Sequence, residues 1–108
     1  MLDKIRLNTL LDFYGGLLTE RKQQIFRYYY REDFSLQEIA EMEGISRSAV
    51  HDTVKKCEAE LLRYEEVLKC VQARDARNRI YRQMEQDPSA SPYLNSLLES
   101  ELIGGNYE

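Results

Sequence analysis

The chain has 108 residues, a net charge of −4, 31% charged residues and only two prolines, which predicts a single all-α domain over residues 1–108. The negative net charge argues against a protein that binds nucleic acid nonspecifically through a positively charged surface. Because no apolar run reaches the roughly 18 residues that cross a bilayer and no signal peptide is recognisable, we expect a cytoplasmic protein without a membrane partner.

Two amphipathic helices are predicted near the N-terminus. Residues 4–14 repeat apolar side chains at spacings of three and four, and Gly15 and Gly16 end this helix. Thr19 is the predicted N-cap of a second helix. The expected buried side chains of the two helices are Ile5, Leu7, Leu10, Leu11, Tyr14, Ile25, Phe26, Tyr29 and Tyr30.

The next stretch, residues 35–56, has the pattern of a helix-turn-helix. Ser35 and Glu38 have the spacing of a capping box, so a helix should begin directly after Ser35. Gly44 follows where a tight turn needs a positive φ, and Ser46 can cap a second helix. An ordinary pair of helices is the alternative, and the helix-turn-helix is the favoured interpretation.

The second helix of this motif has no stop signal and is predicted to continue to about residue 85. Its apolar residues alternate at spacings of four and three, which is the heptad pattern of a helix that packs along a narrow stripe. The stripe fits either the first helix of the same chain or a second subunit, and a homodimer is expected. The heptad stripe consists of Val50, Val54, Cys57, Leu61, Tyr64, Leu68 and Val71.

A short last helix is predicted over about residues 92–103, with Ser91 as N-cap and Pro92 as first residue. It should end at Gly104. The side chains expected to pack from it are Leu94, Leu97, Leu98 and Ile103.

The sequence has few residues of the types and spacings that catalysis or metal binding requires. His51 is the only histidine, and the spacings Cys-x-x-Cys and His-x-x-x-His are both absent. Cys57 and Cys70 lie thirteen residues apart on one predicted helix, which separates them by about 20 Å, so we expect reduced thiols. We therefore predict a protein that is not an enzyme and has no cofactor or metal.

The sequence has more residues suited to nucleic-acid recognition. The first residues of a recognition helix reach base edges in the major groove. Arg47 could contact guanine with two hydrogen bonds, and the lysines suit phosphates. Asp52 is unfavourable beside DNA unless it turns away or meets a cytosine amino group. The candidate DNA-binding residues are Ser46, Arg47, Ser48, His51, Lys55 and Lys56.

Residues 19–62 resemble region four of bacterial sigma factors, and residues 7–70 are similar to the YlxM-type helix-turn-helix proteins. The resemblance implies a sigma-like all-α fold in which the recognition positions fall on the six candidates above. It also implies a regulatory role linked to the signal recognition particle pathway, because the family's genes lie beside those for the particle's GTPase and its receptor. Two residues depart from the pattern. Glu43 stands where an apolar side chain is usual, with Met42 as a candidate replacement, and His51 stands where the family often has Tyr.

Two functions therefore stand open. The first is a regulator that binds DNA through the helix-turn-helix. The second is an adaptor of the protein-targeting machinery that binds protein or RNA, with signal recognition particle components as partners. The second is favoured by charge, because residues 32–66 carry ten acidic side chains and four basic ones.

Overall fold

The computed structural model describes residues 3–102, and that part of the chain is helical without a strand. The predicted all-α fold is confirmed. A short 3-10 helix, Gly15–Leu17, follows the first of six α-helices. The helices are α1 (Lys4–Tyr14), α2 (Glu20–Tyr30), α3 (Leu36–Glu43), α4 (Arg47–Leu68), α5 (Cys70–Glu85) and α6 (Ser91–Glu101).

The predicted continuous helix over 47–85 is wrong, because the chain leaves helical geometry at Lys69. This residue has φ 55° and ψ 30°, in the left-handed region, so α4 ends at Leu68 and α5 begins at Cys70. The chain divides into two compact units at this point, Met1–Leu68 and Lys69–Glu108.

In the first unit, α4 packs against α1, α2 and α3. Its heptad stripe is buried at the first four positions, which are at most 3% exposed, so those positions pack within the chain. Leu68 is 53% exposed and ends the helix, while Val71 belongs to the second unit. The stripe therefore does not continue along one helix as predicted. The buried part consists of Val50, Val54, Cys57 and Leu61, and Tyr64 is half-buried.

Two buried carboxylates join α4 to the N-terminal helices. The hydroxyl of Tyr14 donates a hydrogen bond to the carboxylate of Glu65, and the hydroxyl of Tyr30 donates one to the carboxylate of Glu58. In both bonds the distance between the two oxygens is 2.5 Å. Burial, with the hydrogen bond to Glu58, raises the pKa of Tyr30 well above its ordinary value. Because each buried acceptor has a donor, these pairs fix how α4 lies against α1 and α2.

Most predicted core residues of α1 and α2 are buried, including Phe26, but Ile5 is exposed and was wrongly included. Tyr29 is only half-buried. Thr19 caps α2 as predicted, since its hydroxyl accepts from the amide of Lys22 at 3.3 Å.

The second unit contains α5 and α6, which contact each other. Its buried apolar side chains among the described residues are Val71, Tyr81 and Leu94. Leu97 and Leu98, predicted to pack, are each 41% exposed because α6 has only α5 as a neighbour within this unit.

α6 begins one residue earlier than predicted, with Ala90 at the N-cap and Ser91 as its first residue. The predictions for Ile103 and Gly104 lie outside the described residues. Between Asp3 and Leu102, no helix combines the length and apolar content needed to cross a bilayer.

Candidate nucleic-acid interface

The first helix of the motif, α3, begins with the predicted capping box. The hydroxyl of Ser35 accepts from the amide of Glu38, and the Glu38 carboxylate accepts from the amide of Ser35, both at 3.0 Å. Hydrogen bonding to the amide of Ser35, and then to its hydroxyl, lowers the pKa of the Glu38 carboxyl, because both bonds favour the ionised carboxylate. The start of α3 is thereby fixed by groups within one turn.

The turn between the two helices is built on Gly44, which has φ 67° and ψ 34°. A Cβ at this position would meet no atom within 4 Å, so the backbone conformation and not space is the reason for glycine. The amides of Gly44 and Ile45 both donate to the carbonyl of Ala40. Ser46 then caps α4, since its hydroxyl accepts from the amide of Ala49 at 3.1 Å.

The start of α4 has a buried face and an exposed face. Val50 and Val54 are 0% and 3% exposed, and they face the helices of the first unit. The six residues predicted to contact DNA are all exposed at the start of α4, and we call this set the recognition face. It consists of Ser46, Arg47, Ser48, His51, Lys55 and Lys56.

The charges on the recognition face are not equally available. Lys55 Nζ lies 3.6 Å from the carboxylate of Glu58, and His51 Nδ1 lies 3.8 Å from that of Asp52. Neither Arg47 nor Lys56 has an ion pair with the described residues. These two side chains therefore present the least compensated positive charge.

Glu58 is a residue of the interface that the sequence analysis missed. Its carboxylate accepts from Tyr30 and also lies next to Lys55, so it connects the core to the recognition face. The spacing of three between Lys55 and Glu58 could have indicated the ion pair. The bond to Tyr30 depends on tertiary packing and has no local signal.

Glu43, the departure from the apolar pattern, is accommodated by α2. Its side chain is only 15% exposed, accepts from the Gln24 amide at 3.3 Å and lies 4.0 Å from Arg21 Nε. Met42 is about half exposed, so it does not replace the missing apolar side chain. Polar pairing with α2 takes the place of apolar packing at this position.

The capped helix, the glycine turn and the exposed second helix define a helix-turn-helix protein. The chain belongs to the UPF0122 family, described as "Putative helix-turn-helix protein, YlxM / p13 like", whose profile matches residues 1–100. This is a family of helix-turn-helix proteins and not an enzyme family. Among residues 3–102, no group of three or more His, Cys, Asp or Glu side chains could hold a metal ion.

Curated relatives cover most of the chain. A UPF0122 protein of Halalkalibacterium halodurans is 44% identical over 104 residues, which cover 93% of this chain and 95% of the relative. One from Symbiobacterium thermophilum is 45% identical over 80% of each chain. One from Malacoplasma penetrans is 40% identical over 94% of this chain and 91% of its own length.

Proposed function

We propose that the protein is a regulator that binds DNA by placing the start of α4 in the major groove. The observation that carries the proposal is the recognition face itself, where six polar side chains are exposed at the start of a helix whose apolar residues Val50 and Val54 are buried. Arg47 would pair with guanine, Ser48 and His51 would donate to base edges, and Lys55 and Lys56 would contact phosphates. DNA binding would place the protein in the cytoplasm of a bacterial cell.

The charge of the chain sets the expected strength of binding. The helix-turn-helix lies in a block with ten acidic and four basic residues, so there is little nonspecific attraction to phosphates. With two lysines on phosphates, the logarithm of affinity should fall against the logarithm of salt with a slope of about −2. Specific contacts from Arg47 would therefore supply a large share of the affinity.

The test begins by selecting and sequencing genomic fragments that the pure protein retains. On the selected site, Arg47→Ala should weaken binding by roughly 5- to 150-fold and relax the preference for one base pair. Lys56→Ala should lower the salt slope by about 1 without changing the base preference.

Arg63→Ala is the matched control, because Arg63 lies on the same helix, is exposed and pairs with Glu66. It is sixteen residues beyond Arg47, about 24 Å along the helix axis, and should leave binding unchanged. Retention of no preferred fragment, or equal effects of Arg47→Ala and Arg63→Ala, would contradict the proposal.

The target that the family resemblance favours is a promoter in the signal recognition particle pathway. Such a site should appear among the retained fragments near the genes for the particle's GTPase and receptor. Enrichment of unrelated fragments alone would leave DNA binding intact and remove the link to this pathway.

A second candidate function is an adaptor of the protein-targeting machinery. The observation that favours it is the acidic surface around the motif, where Glu41, Asp52 and Glu66 are all exposed. Such a surface suits a basic protein partner and repels phosphates. Binding to purified signal recognition particle components that is unchanged by Arg47→Ala, together with no retained DNA, would favour the adaptor.

A further inference from the structure

We propose that Glu58 is a positioning residue that acts through Lys55 and lowers the contribution of this lysine to phosphate binding. The two oxygens of the Glu58 carboxylate have different partners. Oε1 accepts a hydrogen bond from the hydroxyl of Tyr30 at 2.5 Å, and Oε2 lies 3.6 Å from Nζ of Lys55. One buried carboxylate therefore contacts both the core and the recognition face. The inference rests on the proposed DNA binding and adds a residue that sets its strength.

The first observation is the unequal exposure of the two charges. The side chain of Glu58 is 11% exposed, whereas that of Lys55 is 54% exposed. Water and salt screen a carboxylate with so little exposure less than one on the open surface, so its attraction for Lys55 exceeds that of an ordinary surface ion pair. The positive charge of Lys55 is therefore partly neutralised before a phosphate approaches.

The second observation is that the hydrogen bond from Tyr30 holds the carboxylate in place. Tyr30 lies on α2 and is buried. Burial, and then the hydrogen bond to Glu58, raise the pKa of the Tyr30 hydroxyl, so this group stays a donor at neutral pH. A carboxylate that moved away to make room for a phosphate would lose this bond and leave a buried hydroxyl without its acceptor. Glu58 therefore stays beside Lys55 when DNA binds.

The neighbouring Lys56 shows what Lys55 would contribute without Glu58. Lys56 is exposed and has no ion pair with the described residues, so its charge is fully available to a phosphate. If both lysines were fully available, the slope of the logarithm of affinity against the logarithm of salt would be about −2. Because Glu58 lowers the share of Lys55, the wild-type slope should lie between about −1 and about −2.

The test measures the salt dependence of binding to a random-sequence DNA duplex, because phosphate contacts carry no sequence information. In Glu58→Gln, the new side chain keeps an oxygen that can accept from Tyr30 and removes the negative charge beside Lys55. We expect a slope more negative by up to about 1, so the affinity of the variant relative to wild type should rise by up to about fourfold as salt falls from about 200 to 50 mM. A purely structural role for Glu58 predicts weaker binding, so the sign of the change separates the two roles.

Glu65→Gln is the matched control. Glu65 has the same 8% exposure as Glu58 and also accepts from a tyrosine hydroxyl, that of Tyr14, at 2.5 Å. It lies seven residues farther along α4, about 10 Å from Glu58 along the helix axis, which is about one Debye length at 0.1 M salt. This variant removes the same charge at a distance from Lys55 and should leave the slope unchanged.

A second variant keeps the test decisive if circular dichroism shows that Glu58→Gln unfolds. Glu58→Leu combined with Tyr30→Phe removes the carboxylate together with the hydroxyl that bonds to it, so neither partner is left buried and unpaired, and the same change in slope is expected. An unchanged or shallower slope in a folded variant that binds the duplex would overturn the role of Glu58 and leave DNA binding intact. Equal changes in Glu58→Gln and Glu65→Gln would also overturn it, since the effect would then be one of net charge alone. If neither wild type nor variant bound any duplex, both proposals would fall.

Discussion

The two units of the chain differ in how completely they bury apolar side chains. Fourteen apolar residues are buried among the described residues of the first unit and three in the described part of the second. In the first unit, α4 lies against three helices, whereas α6 has one helical neighbour within its unit. The first unit is therefore built around one helix with three helical neighbours, and the second is an open pair.

This difference assigns different roles to exposed side chains. At the start of α4 the apolar residues are buried, and the polar residues left outside include Arg47 and Lys56, which have no ion pair with the described residues. On α6 the exposed side chains include Leu97 and Leu98, so the second unit leaves apolar side chains uncovered. The first unit thus exposes mainly polar side chains around its core, whereas the second also exposes leucines.

The largest expected effect is the loss of stability when a buried side chain of the first unit is truncated, compared with truncation of an exposed side chain of the second unit. Leu61→Ala removes a fully buried side chain of α4 and should lower the free energy of unfolding by about 3 kcal/mol. Ile80→Ala removes an exposed side chain of α5 and should change it by less than about 0.5 kcal/mol. Urea unfolding followed by circular dichroism measures both. Equal losses would mean that the second unit is as fully packed as the first.

The two cysteines give a second comparison. Cys57 is buried and Cys70 is exposed, and neither forms a disulfide. A maleimide reagent should therefore modify Cys70 promptly at neutral pH and Cys57 only after unfolding. Mass spectrometry of proteolytic fragments identifies the modified thiol. Prompt modification of Cys57 in the folded chain would contradict the enclosed position of α4.

Because the Cys57 thiol is buried, the free energy of unfolding should fall as the pH rises into the alkaline range. Burial raises the pKa of the Cys57 thiol from 9.0 to about 11, so the folded state holds this proton more tightly than the unfolded state. Its contribution is fully present below pH 9 and is lost as pH rises towards 11, at up to roughly 1.4 kcal/mol per pH unit. Cys57→Ala should remove this part of the slope, and Cys70→Ala should retain it. Identical slopes in both variants would contradict the assignment.

The sequence predicted the helix-turn-helix well because its determinants are local. The capping box, the glycine turn and the second cap each depend on residues within five positions of one another. The burial of Val50 and Val54 also agrees with the apolar spacing of the sequence, and the six polar recognition positions are exposed. Their ability to bind DNA stays a prediction.

Other features could not be predicted because they depend on tertiary contacts or on a single backbone angle. Nothing local distinguishes Lys69 from the lysines inside α4, and lysine is a good helix former. The hydrogen bond between Tyr30 and Glu58 joins residues 28 positions apart. The exposure of Leu68 likewise reflects where the first unit ends, which the repeat of apolar residues did not reveal.

The smallest expected effect is on stability, at the two residues with left-handed backbone conformation that follow α3 and α4. Gly44 has φ 67° and Lys69 has φ 55°, yet only the first is a glycine. Gly44→Ala should lower the free energy of unfolding by about 1 kcal/mol, because a Cβ is strained in this region while alanine also restricts the unfolded chain. Lys69→Asn should raise it by less than about 0.5 kcal/mol, since asparagine tolerates this conformation better than lysine. Thermal unfolding monitored by circular dichroism measures both shifts, and Gly16→Ala serves as the control at a glycine without a positive φ. A loss on Lys69→Asn would mean that the lysine side chain itself stabilises the break between α4 and α5, and the backbone angle would then be a consequence of that side chain.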